Sequence, residues 1–244
     1  MSIPAEPSGT LLTLAADAPR ILVSELAPPG GLLLIIPHPD DETLGCGMAL
    51  AAAAAAGRKI HIVLVTDGEG SHPCSPSVDA AALKALRADE LEAALHELLQ
   101  GQAARVERLG LPDGGSHVSQ IPSARLQEIG KTARAIDARS IWTTWRHDPH
   151  CDHETAARLA EHLAHQLSVP LWEFAVWGRF GERAQAPQRL RRFYAKEHLA
   201  AKHRALAQHR SQFTALIADD PTAFRMPPAL LQHFSDAPEL FLRG

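Results

Sequence analysis

The sequence predicts an α/β fold in which a mostly parallel sheet is covered by helices on both faces. Three observations favour it. Short apolar runs alternate along the chain with longer amphipathic or alanine-rich segments, the pattern of strand–helix–strand units. The chain has 244 residues and is 45% hydrophobic, which suits a domain with a full-sized core. Residues 1–244 contain no internal repeat and no linker-like stretch, so we expect a single domain.

The first half of the chain is expected to supply an N-terminal arm and three strands. Residues 1–30 predict an arm with a short helix near 11–16 and an extra strand at 21–26, and Pro-Pro-Gly-Gly at 28–31 ends it. Strands 1 to 3 are predicted at residues 32–36, 60–66 and 105–109. Between them lie an alanine-rich helix that ends at Gly57 and an amphipathic helix at 79–100.

The second half is expected to continue the alternation. Further strands are predicted at residues 140–145, 169–177, 189–194 and 239–242, and helices at residues 123–138, 154–167, 196–210 and 229–234. Right-handed crossovers between parallel strands give the doubly wound, Rossmann-like strand order 3-2-1-4-5. In that order strands 1 and 4 are neighbours at the switch point, where ligands bind beyond the carboxyl ends of the strands.

The composition restricts the partners and the location. Lys and Arg total 24 and Asp and Glu total 28, so a net charge of −4 gives no electrostatic reason to expect nucleic acid or an anionic membrane as a partner. No stretch reaches the ~18 apolar residues of a membrane span, and the N-terminus lacks the features of a signal peptide. The 3 cysteines form no CxxC pair, which favours a reducing, cytoplasmic location. Whether the chain forms a homo-oligomer is left open.

Charged side chains follow strand 1 directly. The run PHPDDE at residues 37–42 places His38, Asp40, Asp41 and Glu42 within five positions of one another. Neighbouring carboxylates repel, and removing them from water is costly unless positive charge lies among them. A divalent metal would hold them together. The alternative interpretation is a solvated loop with a helix cap.

A second His- and Asp-rich loop follows strand 4, with the run HDPHCDH at residues 147–153. The predicted strand order brings the two loops together. Zinc in a catalytic site takes three protein ligands and keeps one position for water. His38 and either Asp40 or Asp41 can come from the first loop, and His150 or His153 from the second. The residues alone do not decide which aspartate binds the metal and which acts as a base beside it.

The two motifs together resemble those of the PIG-L (LmbE-like) zinc de-N-acetylases, usually written AHPDDE and HPDH. The chain has PHPDDE at 37–42 and HCDH at 150–153, so Pro37 and Cys151 depart from the family pattern at positions that are not proposed ligands. The spacing between the motifs, Gly-Leu-Pro-Asp-Gly at 110–114 and Arg87-x-x-Glu90 also match. The resemblance covers most of residues 32–160. Farther on, residues 202–212, KHRALAQHRSQ, are similar to a segment of many bacterial members.

The resemblance implies an LmbE-like fold and a zinc-dependent (Zn²⁺) hydrolase. The implied reaction removes an acetyl group from the amide nitrogen of a small-molecule substrate, an N-acetylglucosamine-type sugar or sugar conjugate. The implied zinc ligands are His38, Asp41 and His153, and Asp40 is the implied general base.

The resemblance also implies roles for four other residues. His150, oriented by Asp152, would stabilise or protonate the tetrahedral intermediate. Arg87 and Asp113 match positions at which relatives contact the substrate. Glu42 is expected to support the site from beside it or from the helix N-terminus, not to bind the metal.

Three other functions remain as alternatives. One is a zinc amidase that acts on a non-sugar substrate such as a modified peptide. Another is a non-catalytic metal- or ligand-binding protein on the same fold, which would not need both Asp40 and His150. The third is a dinucleotide-dependent oxidoreductase, and it is disfavoured because the run Gly45-x-Gly47-x-x-Leu50 lacks the last small residue of the nucleotide-binding pattern.

Overall fold

A computed structural model describes residues 5–102, 105–182 and 189–244. The strands within them are β1 (Gly31–Ile36), β2 (Lys59–Thr66), β3 (Arg105–Leu111), β4 (Ala138–Thr144), β5 (Leu171–Phe174), β6 (Leu190–Phe193) and β7 (Glu239–Arg243). All of them belong to one sheet with the order β3-β2-β1-β4-β5-β7-β6. Strands β1 to β5 pair in parallel, whereas β7 runs antiparallel to both β5 and β6.

This arrangement confirms the predicted α/β fold and the predicted strand order 3-2-1-4-5. Ile35 of the central strand pairs with Val63 of β2 on one side and with Thr143 of β4 on the other. The carboxyl ends of β1 and β4 are therefore adjacent. The two C-terminal strands extend the sheet beyond β5, and β7 inserts between β5 and β6.

Helices cover both faces of the sheet. The α-helices of the described residues are α1 (Thr10–Ala15), α2 (Val23–Leu26), α3 (Asp41–Ala55), α4 (Ala80–Leu98), α5 (Ser123–Ala135), α6 (Cys151–Leu167), α7 (Lys196–Leu206), α8 (Arg210–Phe213) and α9 (Pro228–Asp236). Short 3₁₀ turns lie at Val118–Gln120 and Trp177–Arg179. Among these helices, none combines the length and the apolarity that crossing a membrane would require.

The central strand β1 shows how the core is divided into two layers. All six of its residues are buried. Leu32, Leu34 and Ile36 pack in one hydrophobic cluster with the small side chains of α3. Leu33 and Ile35 point the other way, into a second cluster that contains residues of α5 and α6. Because successive side chains of a strand alternate between faces, a strand buried on both sides is apolar throughout.

The predicted extra strand at residues 21–26 is wrong. This segment contains the short helix α2, because the N–H of Leu22 donates to the Glu25 carboxylate (3.0 Å) and the N–H of Ala27 donates to the Val23 carbonyl (2.7 Å). These bonds close a helical turn. Only Arg20, just before it, forms an isolated bridge with Arg192 of β6.

Several predicted elements have different ends in the structure: the helix expected at residues 123–138 ends at Ala135, and the strand expected at residues 169–177 spans only Leu171–Phe174. The helix expected from residue 154 begins at Cys151, so most of the HCDH motif lies in the first turn of α6. The helix expected at residues 196–210 ends at Leu206, and the short helix α8 follows it. The earlier start of α6 places Asp152 and His153 in its first turn, and the break after α7 places His209 beside Glu42 of α3.

Helix α3, which carries Asp41 in its first turn, is kinked at Cys46 (φ −145°, ψ 22°). Buried Glu239 accepts the N–H of Met48 (2.6 Å), and buried Lys202 donates to the Leu44 carbonyl (3.2 Å). An unbroken helix would join that N–H to that carbonyl. The Lys202–Glu239 ion pair (2.8 Å) therefore satisfies the main-chain groups that the kink separates.

Candidate active site

The loops after β1 and β4 meet at the carboxyl edge of the sheet, as the strand order predicts. The ring of His38 lies 4.9 Å from the ring of His150 and 5.5 Å from the ring of His153, measured between centroids. The rings of His150 and His153 are 5.3 Å apart. Three imidazoles from two loops thus converge at one point.

Three residues at this point place potential metal-ligand atoms close together. One ligand atom each from His38, Asp41 and His153 lie within 4.8 Å of each other. Asp41 Oδ2 is 3.2 Å from His38 Nδ1 and 3.5 Å from His153 Nε2. His38, His150 and Asp152 form a second such group around the same His38 ring. Two histidines and one carboxylate are a donor set that suits zinc.

The environment of His153 fits a metal ligand. Its Nδ1 atom lies 2.9 Å from Asp148 Oδ2. The Asp148 carboxylate also accepts the N–H groups of residues 176–178, so it acts as an acceptor and the Nδ1 atom of His153 donates. The lone pair of His153 is then on Nε2, which is buried and has no hydrogen-bond partner among the described residues. A carboxylate behind an imidazole whose free nitrogen faces other ligands is typical of metal sites.

Three carboxylates surround the His38 ring and favour positive charge there. Its Nε2 atom lies 3.0 Å from Asp152 Oδ2 and 3.1 Å from Asp113 Oδ1, and its Nδ1 atom faces Asp41. Burial by itself lowers the pKa of His38, but the contacts with three carboxylates outweigh it and hold the pKa well above its ordinary value. A group of carboxylates that favours a proton on its central imidazole also favours a divalent cation beside it.

Asp40 adopts an unusual main-chain conformation next to this cluster. Its φ is 136° and its ψ −27°, in the region that a residue with a side chain rarely adopts. Two contacts hold it: the N–H of Asp40 donates to Glu42 Oε2 (3.0 Å), and the guanidinium of Arg87 donates to Asp40 Oδ2 (3.1 Å). Burial raises the pKa of Asp40 to about 7, although the charge of Arg87 opposes the shift.

A cavity of about 420 Å³ opens beside the cluster. Its lining includes His38, Asp40 and Asp41 together with the two predicted substrate-binding residues, Arg87 and Asp113. The fold therefore brings these five residues to one cavity, although they come from three separate parts of the chain.

Arg87 and Asp113 are also engaged with the protein itself. Arg87 donates to the carbonyls of Pro39 (2.6 Å) and Gly68 (2.8 Å), so it fixes the loop after β1 as well as Asp40. Asp113 accepts the N–H of Gly70 (2.7 Å). Any contact that these residues make with a substrate would be in addition to these bonds.

His150 faces the cavity, but the Asp152 carboxylate does not orient it in the expected way. The distance from His150 Nδ1 to Asp152 Oδ2 is 3.8 Å, too long for a hydrogen bond. Instead, Nδ1 accepts the main-chain N–H of Asp152 (3.3 Å), which places the proton of the neutral ring on Nε2. Burial, together with the neighbouring His38 and His153, lowers the pKa of His150 to about 4.

The Asp152 carboxylate has a different set of partners. Besides His38 Nε2, it accepts the N–H groups of Gly114 (2.8 Å) and Ser116 (2.9 Å). Although burial raises it, the pKa of Asp152 is held well below its ordinary value by the contact with His38 and by these N–H groups. Asp152 thus stands behind His38 as Asp148 stands behind His153.

Sequence reasoning did not find the role of Asp148 or the residues that close the cavity. Asp148 lies in the second loop, but nothing in the pattern distinguishes it from its neighbours. The cavity is also lined by Trp177, Gln212 and Phe224, which come from segments that carry no recognisable motif for this purpose. Only the similarity of residues 202–212 to a segment of many bacterial family members gave any signal there.

The fold and the site together define a doubly wound α/β protein in which a His/Asp cluster that could hold a metal ion lies at the switch point of the sheet, beside a cavity. The family model described as GlcNAc-PI de-N-acetylase, PIG-L, matches residues 33–164. The chain belongs to this family.

Curated relatives match parts of the chain. A 1D-myo-inositol 2-acetamido-2-deoxy-alpha-D-glucopyranoside deacetylase of Mycolicibacterium vanbaalenii is 31% identical in an alignment of 147 residues that covers 52% of this chain and 52% of the relative. The protein of the same name from Mycobacterium avium is 42% identical in an alignment of 77 residues that covers 29% of this chain and 26% of the relative. The chain thus spans a quarter to a half of the length of these relatives.

Solved structures share the fold over most of the chain. A deacetylase of the teicoplanin biosynthetic pathway superposes with a TM-score of 0.62 at 22% identity, covering 87% of this chain and 97% of that one. The N,N'-diacetylchitobiose deacetylase of Pyrococcus horikoshii superposes with a TM-score of 0.60 at 19% identity, covering 80% of this chain and 74% of that one. GalB, a 4-carboxy-2-hydroxymuconate hydratase, superposes with a TM-score of 0.53 at 19% identity, covering 73% of this chain and 77% of that one. The fold alone therefore does not choose the reaction.

Proposed function

We propose that this protein is a zinc-dependent hydrolase that removes the acetyl group from the amide nitrogen of an N-acetylglucosamine-type sugar or sugar conjugate. The carrying observation is the buried Nε2 atom of His153, which has no hydrogen-bond partner among the described residues and lies 3.5 Å from Asp41. Membership in the PIG-L family and the names of the curated relatives support the choice of reaction and of sugar.

His38, Asp41 and His153 would hold the metal. When bound, zinc would polarise the acyl carbonyl and lower the pKa of water next to it. The second group, His38 with His150 and Asp152, is less suited to bind the metal, because Asp152 already accepts two main-chain N–H groups. We assign Asp152 and Asp148 the orientation of His38 and His153, respectively.

Asp40 is the proposed general base. Its carboxylate belongs to the residue before Asp41 and lines the cavity, so it can take the proton of the attacking water and return it to the leaving amine. His150 would donate its Nε2 proton as a hydrogen bond to the carbonyl oxygen, on which negative charge develops. Since its pKa lies near 4, it acts as a neutral donor more readily than as an acid.

Arg87 and Asp113 are the proposed substrate contacts. Asp113 can accept a hydrogen bond from a sugar hydroxyl, whereas Arg87 contributes mainly by holding Asp40 and the loop after β1. We also propose that residues 1–244 form one domain, which strands from both halves of the chain in one sheet support. A cytoplasmic location is supported by the free thiols of Cys46, Cys74 and Cys151.

The experiment is a release assay on purified protein, with and without added zinc. The panel holds N-acetylglucosamine, its inositol conjugate, N,N'-diacetylchitobiose and, as a non-sugar amide, an N-acetyl amino acid. We expect acetate and free amine in equal amounts from at least one sugar, and only with metal bound. Release from the amino acid alone would favour the zinc amidase. Stoichiometric metal binding without release from any compound would favour a non-catalytic binding protein.

A further inference from the structure

Residues 209–212 pack against the site from the C-terminal part of the chain. This segment includes the start of α8 and follows the turn after α7. His209, Ser211 and Gln212 are all buried. Each of them bonds a different element that surrounds Asp40, although more than a hundred residues of sequence separate each pair.

The contact of His209 leads directly to Asp40. His209 Nε2 lies 3.0 Å from Glu42 Oε1, and the other oxygen of that carboxylate accepts the N–H of Asp40 (3.0 Å). Both His209 and Glu42 are fully buried. The Thr43 hydroxyl also donates to Glu42 Oε1 (2.5 Å) and lies 3.2 Å from His209 Nε2. Removal of His209 would leave this oxygen of a buried carboxylate with the hydroxyl alone, which weakens the restraint on the position of Glu42.

The other two contacts attach the segment to α4, the helix that carries Arg87, and to the loop after β2. Ser211 donates its N–H (2.8 Å) and its hydroxyl (2.7 Å) to the two oxygens of Glu90, one helical turn beyond Arg87 on α4. Gln212 donates to the Ser71 hydroxyl (3.1 Å) beside the cavity. The segment thus ties α3 and α4, whose residues contact Asp40, to the loop after β2.

We propose that His209 is a positioning residue that acts through Glu42 to keep Asp40 in its left-handed conformation, with its carboxylate directed into the cavity. An aspartate at φ 136° stays there only if its surroundings over-determine it. The Glu42 bond to its N–H and the Arg87 bond to its carboxylate supply that restraint. The catalytic consequence rests on the proposed function, but the position of Asp40 does not.

The test compares four variants in the zinc-loaded full chain. His209→Leu removes the donor, His209→Asn keeps a polar group that is too short to reach Glu42, and His209→Gln restores a donor at nearly the original distance. His203→Leu is the matched control, because it removes an exposed histidine that pairs with Asp236 on the surface.

We expect kcat to fall about 10²-fold in His209→Leu and His209→Asn, with KM and zinc content unchanged, and to recover in His209→Gln. His203→Leu should match the wild type. In an Asp40→Asn background, His209→Leu or His209→Asn should lower kcat little further. The effects of two substitutions are not additive when one residue acts through the other. Crystals of the impaired variant should show Asp40 outside the left-handed region.

Wild-type kcat in a folded, zinc-loaded His209→Leu or His209→Asn protein would overturn the proposal. A second contradictory result would be a fall in kcat that is as large in the Asp40→Asn background as in the wild type. A third would be an unchanged φ of Asp40 in the variant crystals. If the wild type releases acid from no N-acylated sugar, the proposed function fails. The crystal comparison of wild type and variant then still decides whether His209 positions Asp40.

Discussion

The Nδ1 atom of His153 lies 2.9 Å from Asp148 Oδ2, and the same carboxylate accepts three main-chain N–H groups. This pairing fixes both the ring orientation and the tautomer of His153. It leaves Nε2, on the opposite side of the ring, free for a metal. The affinity of the site for zinc should therefore depend on a residue that does not touch the metal.

Asp148→Asn should weaken zinc binding about 10- to 100-fold, since the amide cannot accept as the carboxylate does and can favour the wrong tautomer. A chelator-competition titration measures the change. Asp137→Asn is the matched control, because Asp137 is exposed and pairs with Arg139 on the surface. Equal zinc affinity in wild type and Asp148→Asn would contradict the role of Asp148.

The ligands themselves should control metal content. Purified wild-type protein should carry about one divalent ion per chain, because three protein ligands make one open site. His38→Ala and His153→Ala should each lower the occupancy strongly, as measured by elemental analysis after dialysis. His203→Ala should not change it. Full occupancy in both ligand variants would reject the assignment of the metal ligands.

Asp113 should act on the substrate more than on the metal. Loss of a hydrogen bond between a carboxylate and a hydroxyl corresponds to a fall in kcat/KM of about 10- to 100-fold. Asp113→Ala should show this fall with zinc content near that of the wild type. Unchanged kcat/KM on the best sugar of the panel would remove Asp113 from the binding site, and parallel loss of zinc would show that it serves His38 instead.

The buried ion pair at the kink of α3 predicts an effect on stability. Lys202→Met leaves the Glu239 carboxylate buried without its cation, which should lower the free energy of unfolding by about 3 to 5 kcal/mol. Urea denaturation measures it. Arg204 lies on the same helix as Lys202 and pairs on the surface with Glu97 of α4. Arg204→Met should therefore lower the free energy of unfolding by only about 0 to 1 kcal/mol. Equal midpoints for the two variants would argue against the role of the buried pair.

Much of the fold follows from the sequence because its strongest signals are local. Buried runs such as residues 32–36 and 62–65 are apolar throughout, and right-handed crossovers then fix the strand order. The insertion of β7 between β5 and β6 could not be predicted in this way. Residues 190–193 and 239–243 are short runs without a connecting turn, and their pairing joins parts of the chain that are distant in sequence.

In the site, too, the local features could be predicted from the sequence and the long-range contacts could not. The residues of the two motifs follow directly from two strands, so their convergence could be predicted from the topology. The partners that orient them could not, because those contacts cross the sequence: His209 is 167 residues from Glu42, and the Asp148 carboxylate accepts the N–H of Val176, 28 residues away. The left-handed conformation of Asp40 depends on such contacts and has no local signal.

The role of Asp40 as the base of a metal-dependent hydrolase can be tested on one preparation of Asp40→Asn. Zinc content and turnover are measured on the same sample, with the best N-acetylated sugar as substrate. If Asp40 is the base, the variant should keep the zinc content of the wild type and lose turnover by ~10²- to 10⁴-fold, the usual contribution of a general base. Retained turnover, or zinc lost in parallel with turnover, would contradict this role.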